Sequence, residues 1–406
     1  MGKFDSYFLM NEQDALQYAR EKYNFFDEGA DLKCVEIGDG NLNYVFRICD
    51  QNTGKSIILK HSGIETRAKS GRPIDVDRNR IEAEILIYQG KMVKGFVPEV
   101  YGYDPVMCCC AMEDLKDYVI MRSALLNYKI FPLFADQIST YLVKMLLPST
   151  DLAMDHKEKK KMVKRYINPD LCQITEQLVY TEPLGNFSGK NIVLDGMKEF
   201  VEIEVYQDNT LRLEGTKLKF DFMNHAQALI HGDLHSGSIF IKEDSIKVFD
   251  PEFAFFGPMG YDLGNVIAHL LFAGYHAGAE LEVSEERREF LSWICSAVED
   301  TVELFKIKFL AAFDDVATDA LARTPGFSSY YLREVLADAA GTAGMELIRR
   351  VVGVSKVKDI TSITSEEKRI ETEKRIIAAA KRLVLDRKAM TSGSCYTELA
   401  AFKQEI

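Results

Sequence analysis

The chain has no C-x-x-C pair, no long apolar run, no internal repeat and no low-complexity tract. Without about eighteen consecutive apolar residues, no membrane-spanning helix is expected. The opening stretch, MGKFDSYFLMNEQDALQYAR, lacks an apolar core flanked by basic residues and a small-residue cleavage site. No secretory leader is therefore read there, and the expected location is cytoplasmic. The eight cysteines stand at 34, 49, 108, 109, 110, 172, 295 and 395. Three adjacent thiols in an apolar stretch do not make a disulfide framework, so Cys108 to Cys110 read as small buried strand residues. Basic charge is also short: 50 Lys and Arg against 62 Asp and Glu leave a net charge of −12. That balance argues against a general nucleic-acid binder but not against a local basic pocket. What remains is 406 residues, 47% hydrophobic and 28% charged, an ordinary globular composition with length for two domains or lobes.

The richest chemistry lies in IHGDLHSGSIFIKEDSIKVFDPE, from Ile230 to Glu252. Asp233 sits in His231-Gly232-Asp233-Leu234-His235-Ser236-Gly237-Ser238; an apolar run, a polar turn at Lys242 to Ser245 and a second apolar run lead to Asp250-Pro251-Glu252. Loop, tight hairpin and loop is the expected order, with both acid-bearing loops at one end of paired strands and facing one cleft. Phosphoryl transfer from a nucleotide to a hydroxyl calls for this arrangement. One carboxylate orients the acceptor hydroxyl and takes its proton, while others hold the magnesium that neutralises the polyphosphate. Asp233 suits the first role, Asp250 and Glu252 the second.

Before this stretch, Asn11 to Phe26 has helical spacing, with Ala15, Leu16, Ala19 and Tyr23 on one face. Lys33–Ile37, Tyr44–Cys49 and Ser56–Lys60 read as strands, the first two joined by the turn Gly38-Asp39-Gly40-Asn41-Leu42-Asn43. A glycine turn over a nucleotide, followed by a strand that delivers Lys60 to its phosphates, begins the small lobe of a kinase-like fold. A plain hairpin explains Gly38, Gly40 and Asn41 equally well, because a third glycine is missing. Asp77 to Lys91 reads as a helix, on which Glu82, in preference to Glu84, would hold the lysine; a solvated helix face is the alternative. Val97–Tyr103 and Met107–Met112 complete a five-stranded small sheet. At the junction that follows, Glu113 and Leu115 would offer main-chain atoms to an adenine edge. The expected division is 1–114 and 115–406.

The second part reads as largely helical. Phe131 to Pro148, Arg287 to Ala311, Tyr330 to Val352 and Glu366 to Lys388 carry helical periodicity, whereas 168–219 gives mixed signals. Six basic residues crowd His156 to Arg165, a pattern best taken as a solvated helix face. Phe253 to Gly260 reads as an aromatic loop. Asp262 is placed either to cap the next helix or to brace the Asp233 loop. Arg349 and Arg350 end a helix before Gly353; neighbours diverge by about 100°, yet a helix end can let both reach one anionic site.

These residues resemble the aminoglycoside phosphotransferase and choline kinase branch of the protein-kinase-like fold, and within it the 5-methylthioribose kinase family. The resemblance rests on HGDLHxGS at His231 to Ser238, the DPEFAF-GP-G-D-G segment at Asp250 to Gly264, and twin arginines at Arg349 and Arg350. It extends to the glycine turn, Lys60, the helix start at Asp77 to Glu82 and the junction Met112 to Leu115. The broader branch has Asn where this chain has Ser238, a poorer metal ligand, which shifts the metal toward Asp250 and Glu252. An α+β, protein-kinase-like fold is implied: a small lobe with an antiparallel five-stranded sheet and a helix, and a larger, mainly helical lobe. The resemblance also implies a homodimer that uses ATP and Mg2+ to phosphorylate 5-methylthioribose at its 1-hydroxyl, a step of methionine salvage. Asp233 would be the catalytic base, and it would bind the sugar together with Arg349 and Arg350. A kinase for another small alcohol, of the choline, homoserine or aminoglycoside type, is the alternative.

Overall fold

The computed structural model describes residues 2–37, 43–63 and 75–405. The expected turn residues Gly38, Gly40 and Asn41 lie outside the described residues. Two compact units form, Met1–Tyr118 with Lys247–Phe253, and Val119–Ile246 with Ala254–Ile406. The segment carrying Asp250 and Glu252 therefore packs with the N-terminal residues.

In the first unit, α1 (Glu12–Lys22) starts at Asn11, whose side chain accepts the Asp14 amide while Asp14 accepts the Asn11 amide. This reciprocal cap satisfies two donors that a helix start leaves open. The helix stops at Lys22, short of the expected Phe26, because Tyr23 takes extended backbone. The strands β1 (Leu32–Glu36), β2 (Asn43–Asp50), β3 (Ser56–Ser62), β4 (Val100–Asp104) and β5 (Cys109–Glu113) form one five-stranded sheet in the order β1-β2-β3-β5-β4. Every neighbouring pair is antiparallel. Side chains alternate faces along a strand. On central β3, Ile57 and Leu59 pack with Phe46, Ile48 and Ala15, Tyr18 and Ala19 of α1, so Ile58 and Lys60 face the other way. There lies α2 (Asp77–Met92), with Ile81, Glu82, Ile85 and Leu86 buried. Cys109 and Cys110 are fully buried in β5, and among the described residues every cysteine is free.

The second unit is mainly helical. Among its helices, those labelled are α3 (Phe134–Leu146), α4 (Gly260–Glu280), α5 (Glu285–Val316), α6 (Phe327–Val352) and α7 (Glu366–Leu385). α4 is buried along nearly its whole length, as a centrally placed helix with apolar residues all round must be. It meets α6 closely: a Cβ added to Gly260 would stand 2.4 Å from the Val335 carbonyl oxygen, and one on Gly264 2.4 Å from that of Ala339. Residues 168–219, unplaced by pattern, comprise a helix at Pro169–Thr175, short wide and tight turns, and most of the helix Asn209–Asn224 capped by Asp208. The basic segment forms the helix His156–Arg165. Lys159 departs from the expected solvated face: it is buried, paired with Asp151, and donates to the carbonyls of Ala226 and Gln227 at 2.8 and 2.9 Å.

The short strands β6 (Val119–Ile120) and β8 (Ile239–Lys242) pair antiparallel, as do β7 (Ala228–Ile230) and β10 (Phe255–Gly257). The expected aromatic loop is thus partly a strand; Phe255 packs on Phe222 at 4.9 Å and Phe256 is buried. After β8 the chain turns through Glu243 and Asp244 into β9 (Ser245–Val248), along which it returns to the first unit. Among the described residues no helix is long and apolar enough to cross a membrane.

Candidate active site

The first unit gathers four of the expected residues. Lys60 Nζ lies 2.8 Å from Glu82 Oε1 and is paired with Asp250. Glu84 is engaged instead by Arg80 at 2.9 Å, so the helix carboxylate that holds the lysine is Glu82. Sequence reasoning missed two neighbours. Asn43 Nδ2 donates to Glu252 Oε2 at 3.1 Å, and Arg78, 2% exposed, brings Nε to 3.5 Å from the same oxygen.

Electrostatically the cluster is short of positive charge. Burial opposes the Lys60 ammonium, but Asp250, Glu82 and Glu252 outweigh it and raise its pKa. Burial, together with the Asp250 charge, pushes Glu252 up to about 7, and burial pushes Glu82 up despite Lys60. Three carboxylates thus share one ammonium and one guanidinium. Asp250 adds a backbone feature: its φ of 69° lies in the left-handed region, a strain concentrated at functional positions in folded chains. Its side chain keeps 36% of its surface exposed, so its oxygens are accessible.

This donor set fits magnesium. Asp250 and Glu252 supply hard oxygens in a cluster with surplus negative charge, the environment a divalent cation neutralises. Among the described residues no group of three or more His, Cys, Asp or Glu forms a complete metal cage. Magnesium does not require one, since it is commonly held through one or two carboxylates with phosphate oxygens and water. Glu113 and Leu115 also belong to the first unit. The Glu113 amide is committed to the Glu99 carbonyl at 2.8 Å and the Leu115 carbonyl to the Tyr118 amide at 3.0 Å; the Glu113 side chain meets Lys247 at 2.5 Å.

The second unit builds its site on the loop after β7. Gly232 has a φ of +82°, which a side chain would resist, and this turn aims the amides of His231 and Gly232 at Asp262. They donate to its two carboxylate oxygens at 2.7 and 3.1 Å. Of the two roles open to Asp262, bracing the loop is the one observed. No side-chain cap closes the start of α4.

Asp233 follows on this braced turn. His235 Nδ1 accepts the Gly237 amide at 3.1 Å, which leaves the ring proton on Nε2, 3.4 Å from Asp233 Oδ2. Arg349 brings Nη2 to 3.8 Å from Asp233 Oδ1. Burial alone would raise the Asp233 pKa, but His235, Arg349 and Arg350 together hold it well below the usual carboxylate range. Burial keeps His235 itself below the ordinary histidine value, so near neutrality the arginine charges and the imidazole hydrogen bond maintain the anion. The structure makes it a weaker base than an ordinary carboxylate. Ser238 Oγ donates to the Asp233 carbonyl at 3.0 Å and lies 3.1 Å from His235 Nδ1, so this hydroxyl ties the loop to itself.

The twin arginines do not diverge. Both Nε groups reach Glu346, Arg349 to Oε2 and Arg350 to Oε1 at 2.7 Å. Glu346 is fully buried and also receives His269 Nε2 at 3.1 Å. Beyond the ring, His269 Nδ1 lies 3.2 Å from Ser236 Oγ, which takes Arg122 Nε at 3.3 Å. Sequence reasoning passed over Glu346, His269 and Arg122. The spacing Glu346-x-x-Arg349-Arg350 carried the signal, because i+3 and i+4 share a helix face with i.

Residues 204–291 match the model of the phosphotransferase enzyme family. Methylthioribose kinase of Geobacillus sp. (strain WCH70) is 35% identical over 384 residues, covering 94% of this chain and 93% of that protein. The enzyme of the same name from a strain of Bacillus cereus is 35% identical over 379 residues, 93% of each. Among solved structures, choline kinase from Cryptosporidium parvum Iowa II aligns over 97% of this chain and 96% of its own, with 11% identity and a TM-score of 0.47. With over a third of positions shared along nearly the whole length of named relatives, the chain belongs to the methylthioribose kinase family.

Proposed function

We propose that the protein transfers the γ-phosphoryl group of ATP to the 1-hydroxyl of 5-methylthioribose, as a cytoplasmic homodimer in methionine salvage. The observation that carries this acceptor is the arginine beside Asp233: Arg349 Nη2 stands 3.8 Å from its carboxylate. A cationic pair at the accepting acid repels choline or an aminoglycoside and suits a neutral sugar that is gaining a phosphate. The relatives' shared name supports the same acceptor.

In this reading Asp233 accepts a hydrogen bond from the acceptor hydroxyl and orients its oxygen. The bond between the γ-phosphorus and the bridging oxygen of ATP breaks, the bond to the acceptor oxygen forms, and ADP leaves. The hydroxyl proton passes to Asp233. Its depressed pKa fits a proton that moves late, as a loose transition state requires. Arg349 and Arg350 contact the sugar hydroxyls and neutralise charge building on the transferred group. Lys60, held by Glu82, binds phosphate oxygens. With their other groups committed, the Glu113 carbonyl and the Leu115 amide are the pair for adenine. Asp250 and Glu252 would hold Mg2+, which when bound supplies neutralisation of the polyphosphate.

Steady-state assays with ATP and methylthioribose, choline, homoserine or kanamycin test the proposal. Turnover of methylthioribose, with none of the others within about a hundredfold in kcat/KM, is expected from a site built around a specific pattern of hydroxyl contacts. Turnover of another acceptor without methylthioribose turnover refutes it.

A further inference from the structure

The twin arginines pose a geometric problem that the chain solves with one residue. Consecutive helix positions point about 100° apart, so two neighbouring guanidinium groups do not converge unless something gathers them. Glu346, one turn earlier, stands at i−3 to Arg349 and i−4 to Arg350. From there each carboxylate oxygen takes a different arginine through Nε. Held by that inner edge, Arg349 keeps Nη2 directed at Asp233, 3.8 Å away.

The same carboxylate reaches the loop that carries Asp233. Arg122 Nε donates to Ser236 Oγ, Ser236 Oγ lies against His269 Nδ1, and His269 Nε2 lies against Glu346 Oε1, at 3.3, 3.2 and 3.1 Å. The proton directions are consistent along the chain. A carboxylate accepts only, so the ring proton is on Nε2 and Nδ1 accepts the serine hydroxyl. The residues that form the centre of this network are sealed from water: Glu346 is 0% and His269 1% exposed. Burial alone would raise the Glu346 carboxyl, yet the two guanidinium charges and His269 hold it well below its ordinary value.

We infer that Glu346 is a positioning residue of this site: one buried carboxylate that turns Arg349 and Arg350 to a common side and, through His269 and Ser236, registers them on the Asp233 loop. The inference rests on the proposed role of the arginine pair on the acceptor side. Glu346 itself touches neither substrate nor nucleotide; it acts through the arginines. A carboxylate serving only to offset their charge would need no path to Ser236. One serving only to hold α4 on α6 would need no second arginine.

Glu346→Gln separates these roles, because its amide accepts at one end and presents N–H donors at the other, where an arginine must turn away. The expected result is a fall in kcat of about ten- to a hundredfold with a raised KM for methylthioribose, and a KM for ATP within about twofold of wild type. In an Arg349→Met/Arg350→Met protein, adding Glu346→Gln should change kcat/KM less than about threefold, since nothing remains to position, and should raise the midpoint temperature by relieving an unpaired buried charge. If Glu346→Gln does not fold, Glu346→Asp decides: it keeps the charge, withdraws the oxygens by one methylene, and should lower kcat at least about fivefold with the ATP KM unchanged. Unchanged methylthioribose kinetics in the folded variant overturn the inference. So does a Glu346→Gln effect that multiplies in full on the double-methionine protein. Ratios to wild type are read with whichever acceptor the wild-type protein phosphorylates, so a wrong acceptor and a wrong role for Glu346 give different results.

Discussion

At the scale of single residues, the site depends on acids that do no chemistry of their own. Asp262 is the clearest. It lies 2% exposed and accepts the His231 and Gly232 amides on separate oxygens, and burial raises its pKa against those bonds. An asparagine there would accept one amide and turn an N–H toward the other. Asp262→Asn is therefore expected to cost about 1–3 kcal/mol of stability, the range for leaving a buried donor unsatisfied. It should also lower kcat, because the turn that presents Asp233 loses one of its two anchors. Urea denaturation with steady-state kinetics checks this. A variant as stable and as fast as wild type would show that the two bonds are incidental.

At the scale of elements, the close approach of α4 and α6 links packing to function. α4 carries His269 and α6 carries Glu346, and the bond between them depends on how near the helices lie. Gly264 sets that distance: a Cβ there would meet the Ala339 carbonyl oxygen at 2.4 Å and Thr342 Cβ at 2.8 Å, and backbone atoms cannot swing aside. Gly264→Ala should cost about 1–3 kcal/mol, as overpacking in a dense core does, and should lower kcat along with thermal stability. Unaltered melting and turnover would mean that the helices separate freely. The elements themselves were legible wherever a period repeats. The strands of the first sheet and the long helices α5, α6 and α7 emerged near their observed bounds, because alternation and 3.6-residue periodicity report directly which face is buried. Residues 168–219 were not legible: the short wide and tight turns up to Tyr206 repeat no period, and they obscure the helix Asn209–Asn224 that follows. Lys60, Glu82, Asp233 and Asp250 stood out as a lysine and acids at recognisable places in a strand, a helix and two loops. Asn43 did not, because it meets Glu252 across 209 positions and no local pattern spans that interval.

At the scale of the whole molecule, a net charge of −12 conceals a set of buried cations, each anchored by acids in its own unit. Lys60 and Arg78 sit with Glu82, Asp250 and Glu252 in the first unit. Arg349 and Arg350 sit with Glu346 in the second. This distribution predicts a division of labour. Cations of the first unit should govern nucleotide affinity, and those of the second the rate of transfer and the grip on the acceptor. Lys60→Met is expected to weaken binding of a non-hydrolysable ATP analogue at least about tenfold, or about 1.4 kcal/mol. Arg350→Ala should leave that affinity within about twofold while reducing kcat by orders of magnitude, the scale on which an arginine acts on a transferring phosphoryl group. Calorimetric titration of both variants, paired with turnover, separates the two effects. Because the carboxylates that anchor each cation lie in its own unit, the structural penalty of removing one should stay in that unit. A parallel loss of nucleotide affinity in both variants would contradict the division and make the two sets of cations one electrostatic unit.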